Sequence, residues 1–368
     1  MEHKYKRIID YINEQIESGK WLPDYKIPSE SQLMELFKTS RITVIRALKE
    51  LELTGVIYRV KGKGSFVSKK TSQNKRVISI IIPHSSNFFS GGEQYIRSIS
   101  RYCQENGYLC SIHYSEQSSG KEREILKTLT EQNSVAGIIL YPINNRNVDI
   151  ISQLVIKDFP LVLLDRKLEE LDCNVVQSDN YTGAYQAISY LIENGHRNIA
   201  FIGAIDSYSV EERYKGYCKA LVEHKIPIRP ENIIEHFYDS YPKDKQELLT
   251  EERAFEIVGH LMSREDPPTA IFCVNDLFAY FVMQTAIRKN IQIPDKLSII
   301  GFDNLPFIQE LTVPLTTVEQ DYDAIGKESV GLLMKQLTGK IKKPRTIIIP
   351  TRLVIRKSVA KLISTQLR

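Results

Sequence analysis

Two groups of side chains have the types and spacing for chemistry. The first is basic. Arg41, Ile42, Thr43 and Arg46 stand near the start of a helical pattern, and Lys61-Gly62-Lys63-Gly64 follows in a turn. Arginine and threonine at the N-terminal end of a helix can reach base edges in a groove, and lysines on a tight turn can meet phosphate. The second group gathers after strand-like runs: Asn87, Phe88 and Phe89, then Asp165-Arg166, Arg213, Asn275-Asp276 and Asp303. Carboxylates accept from polyol hydroxyls, Arg and Asn donate, and rings cover an apolar ring face.

The basic group needs a small scaffold, and the sequence supplies one. Ile8, Ile9, Ile12 and Ile16 give residues 5–18 a helical face. Gly19 ends it, and Trp21, the only tryptophan, reads as core. Ser29 after Pro28, with Gln32 three residues on, has the form of a capping box. Leu33, Leu36 and Phe37 form one face of the short helix it starts, which stops at Lys38-Thr39. Ser40 caps a second helix with the stripe Val44, Leu48 and Leu51, and Gly55 stands where a C′ glycine is wanted. Residues 56–60 and 65–67 are strand-like and flank the glycine-lysine turn. Singly, each cue also fits a core helix with solvated arginines. Their order describes a winged helix-turn-helix.

Charge is distributed accordingly. The net charge of the 368-residue chain is only +4, but residues 1–75 hold 15 Lys and Arg against 9 Asp and Glu. The remainder holds 34 against 36. The basic excess thus lies on the part with the two short helices, as a footprint for phosphate should. Five cysteines are scattered, odd in number and without a C-x-x-C, which argues against a disulfide framework or zinc and fits a reducing cytoplasm. The first residues lack a signal-peptide core, and the most apolar run, 77–83, is too short to span a bilayer. Neither a metal, a cofactor nor a membrane is expected.

Residues 69–76 contain no apolar side chain and read as a linker between a unit 1–68 and a unit 77–368. From Val77 the texture alternates. Strand-like runs at 77–82, 109–114, 135–140, 161–164, 198–202, 270–274 and 297–300 are separated by helical patterns, the last at 322–337. This implies βαβ units, doubly wound parallel sheets and an α/β fold. The length is great for one sheet, so two lobes are expected. Ligands of such sheets bind beyond the carboxyl ends of strands, where the second group stands. Asp276 is equally placed to cap the helix after it. His113, His196, His224 and His236 show no metal-ligand spacing.

These residues resemble two known families. Ile27-Pro28-Ser29-Glu30-x-x-Leu33, Ser40-Arg41-x-Thr43-Val44 and Gly62-x-Gly64-Ser65-Phe66-Val67 look like the GntR-type winged-helix signature, over about residues 4–68. Asp179-Asn180-Tyr181-x-Gly183-Ala184, Gly195-His196-Arg197, Arg213-x-x-Gly216-Tyr217, Asn275-Asp276, Gly301-Phe302-Asp303 and Pro314-Leu315-Thr316-Thr317-Val318-x-Gln320 look like the LacI/GalR effector-binding domain, over about 76–357. The second resemblance implies a periplasmic-binding-protein-like fold of two lobes around a small ligand, usually a sugar. It places Asp165, Arg213, Asn275, Asp303 and Gln320 in the cleft, with Phe88 or Phe89 as a platform. The pairing of the two is similar to arabinose-responsive repressors of Gram-positive bacteria. Many GntR proteins carry Arg where this chain has Ser31 and Ile45, so base contacts are not carried over there.

The candidate DNA contacts are therefore Lys4, Ser29, Glu30, Arg41, Ile42, Thr43, Arg46, Lys61, Gly62, Lys63 and Gly64. The candidate effector contacts are Asn87, Phe88, Phe89, Tyr141, Asp165, Arg166, Arg213, Asn275, Asp276, Asp303 and Gln320. The leading expectation is a homodimeric repressor on double-stranded operator DNA, released by a monosaccharide such as L-arabinose. Another sugar, a sugar phosphate or a purine, as inducer or corepressor, stays open. The competing class is a sugar-metabolising α/β enzyme. Against it, the chain has no G-x-x-x-x-G-K-[ST], no G-x-S-x-G and no G-x-G-x-x-G after a strand.

Overall fold

The computed structural model describes residues 4–53, 56–60, 62–68, 77–83, 91–131, 135–203, 207–235, 251–341 and 343–362. The chain divides into two compact units, Met1–Arg76 and Val77–Arg368. The linker 69–76, Gly55, Lys61, His236 and Asn87-Phe88-Phe89 lie outside the described residues.

The first unit contains α1 (Lys4–Glu17), α2 (Glu30–Phe37), α3 (Arg41–Leu53), β1 (Ile57–Val60) and β2 (Gly64–Val67). Its core joins Ile8 and Ile12 of α1, Leu33 of α2, and Val44, Ala47, Leu48 and Leu51 of α3, with Trp21 beneath them. The capping box forms. Gln32 N–H donates to Ser29 Oγ at 3.3 Å, and Ser29 N–H donates to Gln32 Oε1 at 2.8 Å. Lys38 ends α2 in the left-handed region at φ +45°. Thr43 N–H donates to Ser40 Oγ at 3.4 Å, which starts α3. β1 and β2 pair antiparallel from Ile57 opposite Val67 to Val60 opposite Gly64. Gly62 at φ +78° and Gly64 at φ +114° take the turn conformations that a side chain resists.

The second unit is α/β with two six-stranded sheets. One lobe begins β3 (Val77–Ile82), α4 (Gly92–Glu105), β4 (Leu109–Tyr114), α5 (Ser119–Glu131), β5 (Gly137–Leu140), α6 (Val148–Ile156), β6 (Leu161–Leu164) and β7 (Asn174–Ser178). The chain then crosses into the other lobe. There it forms α7 (Asn180–Glu193), β8 (Ile199–Ile202), α8 (Tyr208–Glu223), β9 (Ile233–Ile234), α9 (Glu251–Met262), β10 (Ala270–Cys273), α10 (Asp276–Arg288), β11 (Ser298–Asp303) and β12 (Thr316–Gln320). It returns for α11 (Tyr322–Leu337) and β13 (Thr346–Ile349), and crosses a third time through Pro350 into β14 (Thr351–Val354). The sheet orders are β13-β7-β6-β5-β3-β4 and β14-β12-β11-β10-β8-β9. Every pair is parallel except β12 with β14, so the expected parallel sheet carries one antiparallel edge.

The central strands β5, β6, β8 and β10 are buried along their whole length, as runs of aliphatic residues between helical layers must be. At the crossings, Asp179 N–H donates to Ile349 C=O at 2.8 Å, and Thr351 Oγ1 donates to Asp179 C=O at 3.1 Å. Two of the three connecting strands are thereby tied side by side.

Candidate functional site: reading head and effector cleft

On the first unit, the N-terminal end of α3 is presented outward. Ile42 is 80% exposed. Arg41 is exposed, and its Nε donates to Glu30 Oε2 at 3.1 Å. Glu30 also lies 3.8 Å from Arg59 Nη1 on the wing, and Arg59 Nε lies 3.4 Å from Glu52. Glu30 thus holds two arginines at the edge of the recognition helix, instead of facing phosphate itself. Thr43 Oγ1 and Ser40 Oγ are 3.0 Å apart. Ser29 is occupied in its cap. Arg46 stacks its guanidinium 4.2 Å over the Tyr5 ring, so it also ties α3 to α1. Gly62, Lys63 and Gly64 form the exposed turn of the wing, and Lys4 opens α1.

In the second unit, side chains from both lobes meet at the carboxyl ends of the strands. Asp165 follows β6 at φ +63° and accepts from Tyr141 OH at 2.7 Å and Tyr95 OH at 3.3 Å. Asp303 ends β11 at φ +126°, a conformation rare for any residue but glycine. Strain of this kind persists where surrounding structure imposes it. Gln320 Nε2 donates to Asp303 Oδ1 at 2.6 Å, while Gln320 Oε1 accepts from Ser178 Oγ at 2.6 Å and Tyr95 OH at 3.2 Å. Burial, opposed by the Arg213 charge and the Gln320 hydrogen bond, pushes the Asp303 carboxyl up to about 7.

Arg213, on α8, is 5% exposed. Its Nε donates to Asn180 Oδ1 at 2.8 Å, and Nη1 donates to Val274 C=O and lies 3.9 Å from Asp303 Oδ1. The guanidinium lies 3.7 Å over the Phe302 ring. Arg166 donates to the carbonyls of Pro142 and Ile143 and lies 5.2 Å over the Tyr141 ring. It therefore braces the loop after β5. Glu122, wholly buried, holds the same loop by accepting from Ile143 N–H at 3.0 Å and Asn147 Nδ2 at 2.8 Å.

The helix cap is Asn275, not Asp276: Asn275 Oδ1 accepts from Phe278 N–H at 2.8 Å. Asp276 is fully buried and accepts from Leu305 N–H at 2.8 Å and Thr317 Oγ1 at 2.6 Å. Both its oxygens serve the scaffold between α10, β12 and the loop after β11. This differs from the expected effector contact, because strand-end position alone does not tell a carboxylate that faces a cleft from one that faces inward.

Sequence reasoning missed Tyr95, Tyr322, Ser178 and Asn180. The Tyr95 ring packs edge-on against Tyr141 at 5.8 Å and Tyr322 at 4.8 Å, so three tyrosines form an aromatic wall. Burial raises all three phenols, so they remain hydrogen-bond donors. Ser178, Asn180 and Tyr322 stand beside lobe crossings, and the crossings were not visible before the strands were assigned. Among the described residues, no group of three His, Cys, Asp or Glu is placed to hold a metal, and no helix is long and apolar enough to cross a membrane.

Known proteins share both units. Residues 4–67 match the model of bacterial regulatory proteins of the gntR family, and residues 188–359 match that of a periplasmic binding protein-like domain. A LacI-family regulatory protein from Chloroflexus aggregans superposes with a TM-score of 0.67 and 28% identity, covering 78% of this chain and 99% of that one. The chain is a GntR-type winged helix joined to a LacI-like sensor domain. This is the make-up of a transcriptional repressor. Over 98% of both chains, this GntR–LacI fusion is 27% identical to the arabinose metabolism transcriptional repressor of Geobacillus stearothermophilus. It is 28% identical, again over 98% of both, to the repressor of that name from Halalkalibacterium halodurans. It is also 29% identical to the transcriptional repressor PurR of Histophilus somni, across 80% of this chain and 84% of that one.

Proposed function

We propose that this repressor binds operator DNA as a homodimer in the cytoplasm and releases it when a neutral monosaccharide, with L-arabinose as the leading candidate, enters the cleft. The observation that carries the reading is the convergence of Asp165, Asp303, Arg213 and Gln320 from two lobes beside a tyrosine wall. Two carboxylates and an amide suit hydroxyl donors. Both arginines are engaged by protein carbonyls or carboxamides, which favours an uncharged polyol over a sugar phosphate. Asp165, Arg213, Asp303 and Gln320, with Asn275 at the rim, are the proposed effector contacts. Asn87, Phe88 and Phe89 retain that role as a proposal from sequence. Arg41, Ile42, Thr43, Lys63 and the wing glycines are the proposed DNA contacts. The site binds and releases its ligand without turnover.

A thermal-shift series with L-arabinose, other pentoses, hexoses, sugar phosphates and purines tests the reading, because a ligand of the folded state raises apparent stability with concentration. A concentration-dependent rise with L-arabinose, together with loss of operator binding at the same concentrations, is the expected result. A rise only with purines would replace the sugar by a purine corepressor.

A further inference from the structure

Lys26 is brought to the wing from the segment that precedes α2. The stretch 24–27 runs beside β2. Asp24 N–H donates to Val67 C=O at 2.9 Å, Val67 N–H to Tyr25 C=O at 2.9 Å, and Ile27 N–H to Ser65 C=O at 3.0 Å. Lys26 is bridged antiparallel opposite Phe66. Side chains of such a ribbon alternate between its faces, and opposed residues share one. Ile27, Ile57 and Val67 turn to the core, so Lys26, Phe66 and Tyr58 stand on the outer face. Tyr58 stacks on Phe66 with ring centroids 5.6 Å apart, and its OH donates to Asp24 Oδ1 at 2.8 Å. The stretch is thereby fastened to the wing by backbone and side chain alike.

Gly64 lies two residues before Phe66, on that same outer face. Lys26 fills the room that a side chain at Gly64 would need. A Cβ built on Gly64 would stand 3.0 Å from Lys26 Cε and 3.9 Å from Lys26 Nζ. The lysine stem therefore crosses the bare backbone of the wing, and its ammonium reaches the residue that follows Lys63. Lys26 is exposed. The arginines nearer the recognition helix are differently engaged: Arg41 and Arg59 lie against Glu30, and Arg46 lies over the Tyr5 ring. Two lysines distant in sequence thus present their charge at one turn.

Given a wing that faces operator DNA, as proposed above, we infer that Lys26 is a further DNA contact and that its ligand is a backbone phosphate. An ammonium on an aliphatic stem meets phosphate as a point charge with freely turning donors. Such a contact sets the register of the protein on the duplex and carries no sequence information of its own. The base-reading side chains stand on α3, at the other side of the wing, so the two tasks are divided between the two faces of the ribbon. Lys26 holds the wing on the backbone, and Gly64 stays bare so that the lysine can cross it.

The test is a fluorescence-anisotropy titration of the full-length protein at a series of salt concentrations. One duplex is enriched from a random pool by the wild-type protein, and the other has an arbitrary sequence. Lys26→Met keeps the stem over Gly64 and removes the charge. Each phosphate contact adds about 0.9 to the slope of log affinity against log salt, so the slope should fall by about 0.9 for each head bound. A fourfold rise in salt should then cost the variant about 3.5-fold less affinity per head than it costs the wild type. Both duplexes should be affected alike, with their affinity ratio unchanged, and Lys26→Arg should restore the slope. A wild-type slope in Lys26→Met beside a lowered one in Lys63→Met would overturn the inference and leave the DNA-facing wing standing. Wild-type slopes in both would remove the wing from the DNA as well. A changed ratio between the duplexes would make Lys26 a reader of bases and overturn the phosphate assignment.

Discussion

Gln320 bonds to Asp303 across the end of the second lobe's sheet: its Nε2 donates to Asp303 Oδ1 at 2.6 Å. The same amide accepts from Ser178, at another crossing, and from Tyr95 of the first lobe. A side chain at a crossing therefore senses a strand-end carboxylate on one side and a cleft helix on the other. A ligand that competes for Asp303 must disturb a group bonded to both lobes. Coupling between effector and DNA is a free energy of a few kcal/mol, and a rearranged buried network of this size is sufficient to supply it.

Arg213→Ala removes the cation that Asn180, Val274 and Asp303 share. The response of operator binding to the effector should vanish. Because the arginine also props these buried partners, thermal stability should fall by about 3 kcal/mol. Denaturant titration and operator titration, each with and without sugar, separate the two effects. A normal dose–response curve in the variant would take Arg213 out of the cleft.

The Asp303 carboxyl predicts a pH signature. Burial lifts its pKa from the ordinary value of 3.8 to about 7. The folded protein holds this proton where the unfolded chain has lost it, so the contribution is complete below about pH 4 and fades as pH rises through 7. Asp303→Asn should raise the melting temperature at pH 8 relative to wild type and leave it nearly unchanged at pH 4. Equal differences at both values would show that the carboxyl titrates normally.

Asp276→Ala strips the acceptor from Leu305 N–H and Thr317 Oγ1. Two buried donors without partners cost about 2–4 kcal/mol together. Calorimetric affinity for the effector in the folded variant should remain within about twofold, a shift smaller than about 0.5 kcal/mol. A selective loss of affinity would return Asp276 to the cleft.

Arg41→Ala should weaken operator binding by about 1–3 kcal/mol, the range for an arginine on a base edge. A fluorescence-anisotropy titration at several salt concentrations reads it. Glu30→Gln should change affinity less, because Glu30 acts by orienting Arg41 and Arg59. If affinity is unmoved by Arg41→Ala, the recognition surface lies elsewhere on α3.

Much of this architecture was legible in the chain. Long periodic segments were clear: residues 109–114 and 322–337 were expected at the bounds they hold, and the Ser29 capping box formed as read. Strands with polar residues were missed. Asn174–Ser178 and Thr316–Gln320 alternate poorly, because hydrogen-bonding side chains at lobe crossings displace the aliphatic ones that mark a buried strand. Thr346–Ile349 and Thr351–Val354 were hidden by the same crossings. For the candidate site, the sequence singled out Asp165 and Asp303 but not Tyr95, whose place beside them depends on which helix covers β3. Nor did it show that Arg166 faces carbonyls. These are tertiary facts, set by which elements pack together.

The three crossings also govern how the protein is made. The first lobe is incomplete without β13, at Thr346–Ile349, and the second without β14, at Thr351–Val354. Both strands leave the ribosome after all the other strands of their sheets, separated by one residue. Only the winged helix is contiguous, so it alone can fold while translation continues. The sensor must instead wait with two unfinished sheet edges until these two strands are made. A nonsense codon a few positions before residue 346 would therefore spare the DNA reader and leave both halves of the sensor unfinished.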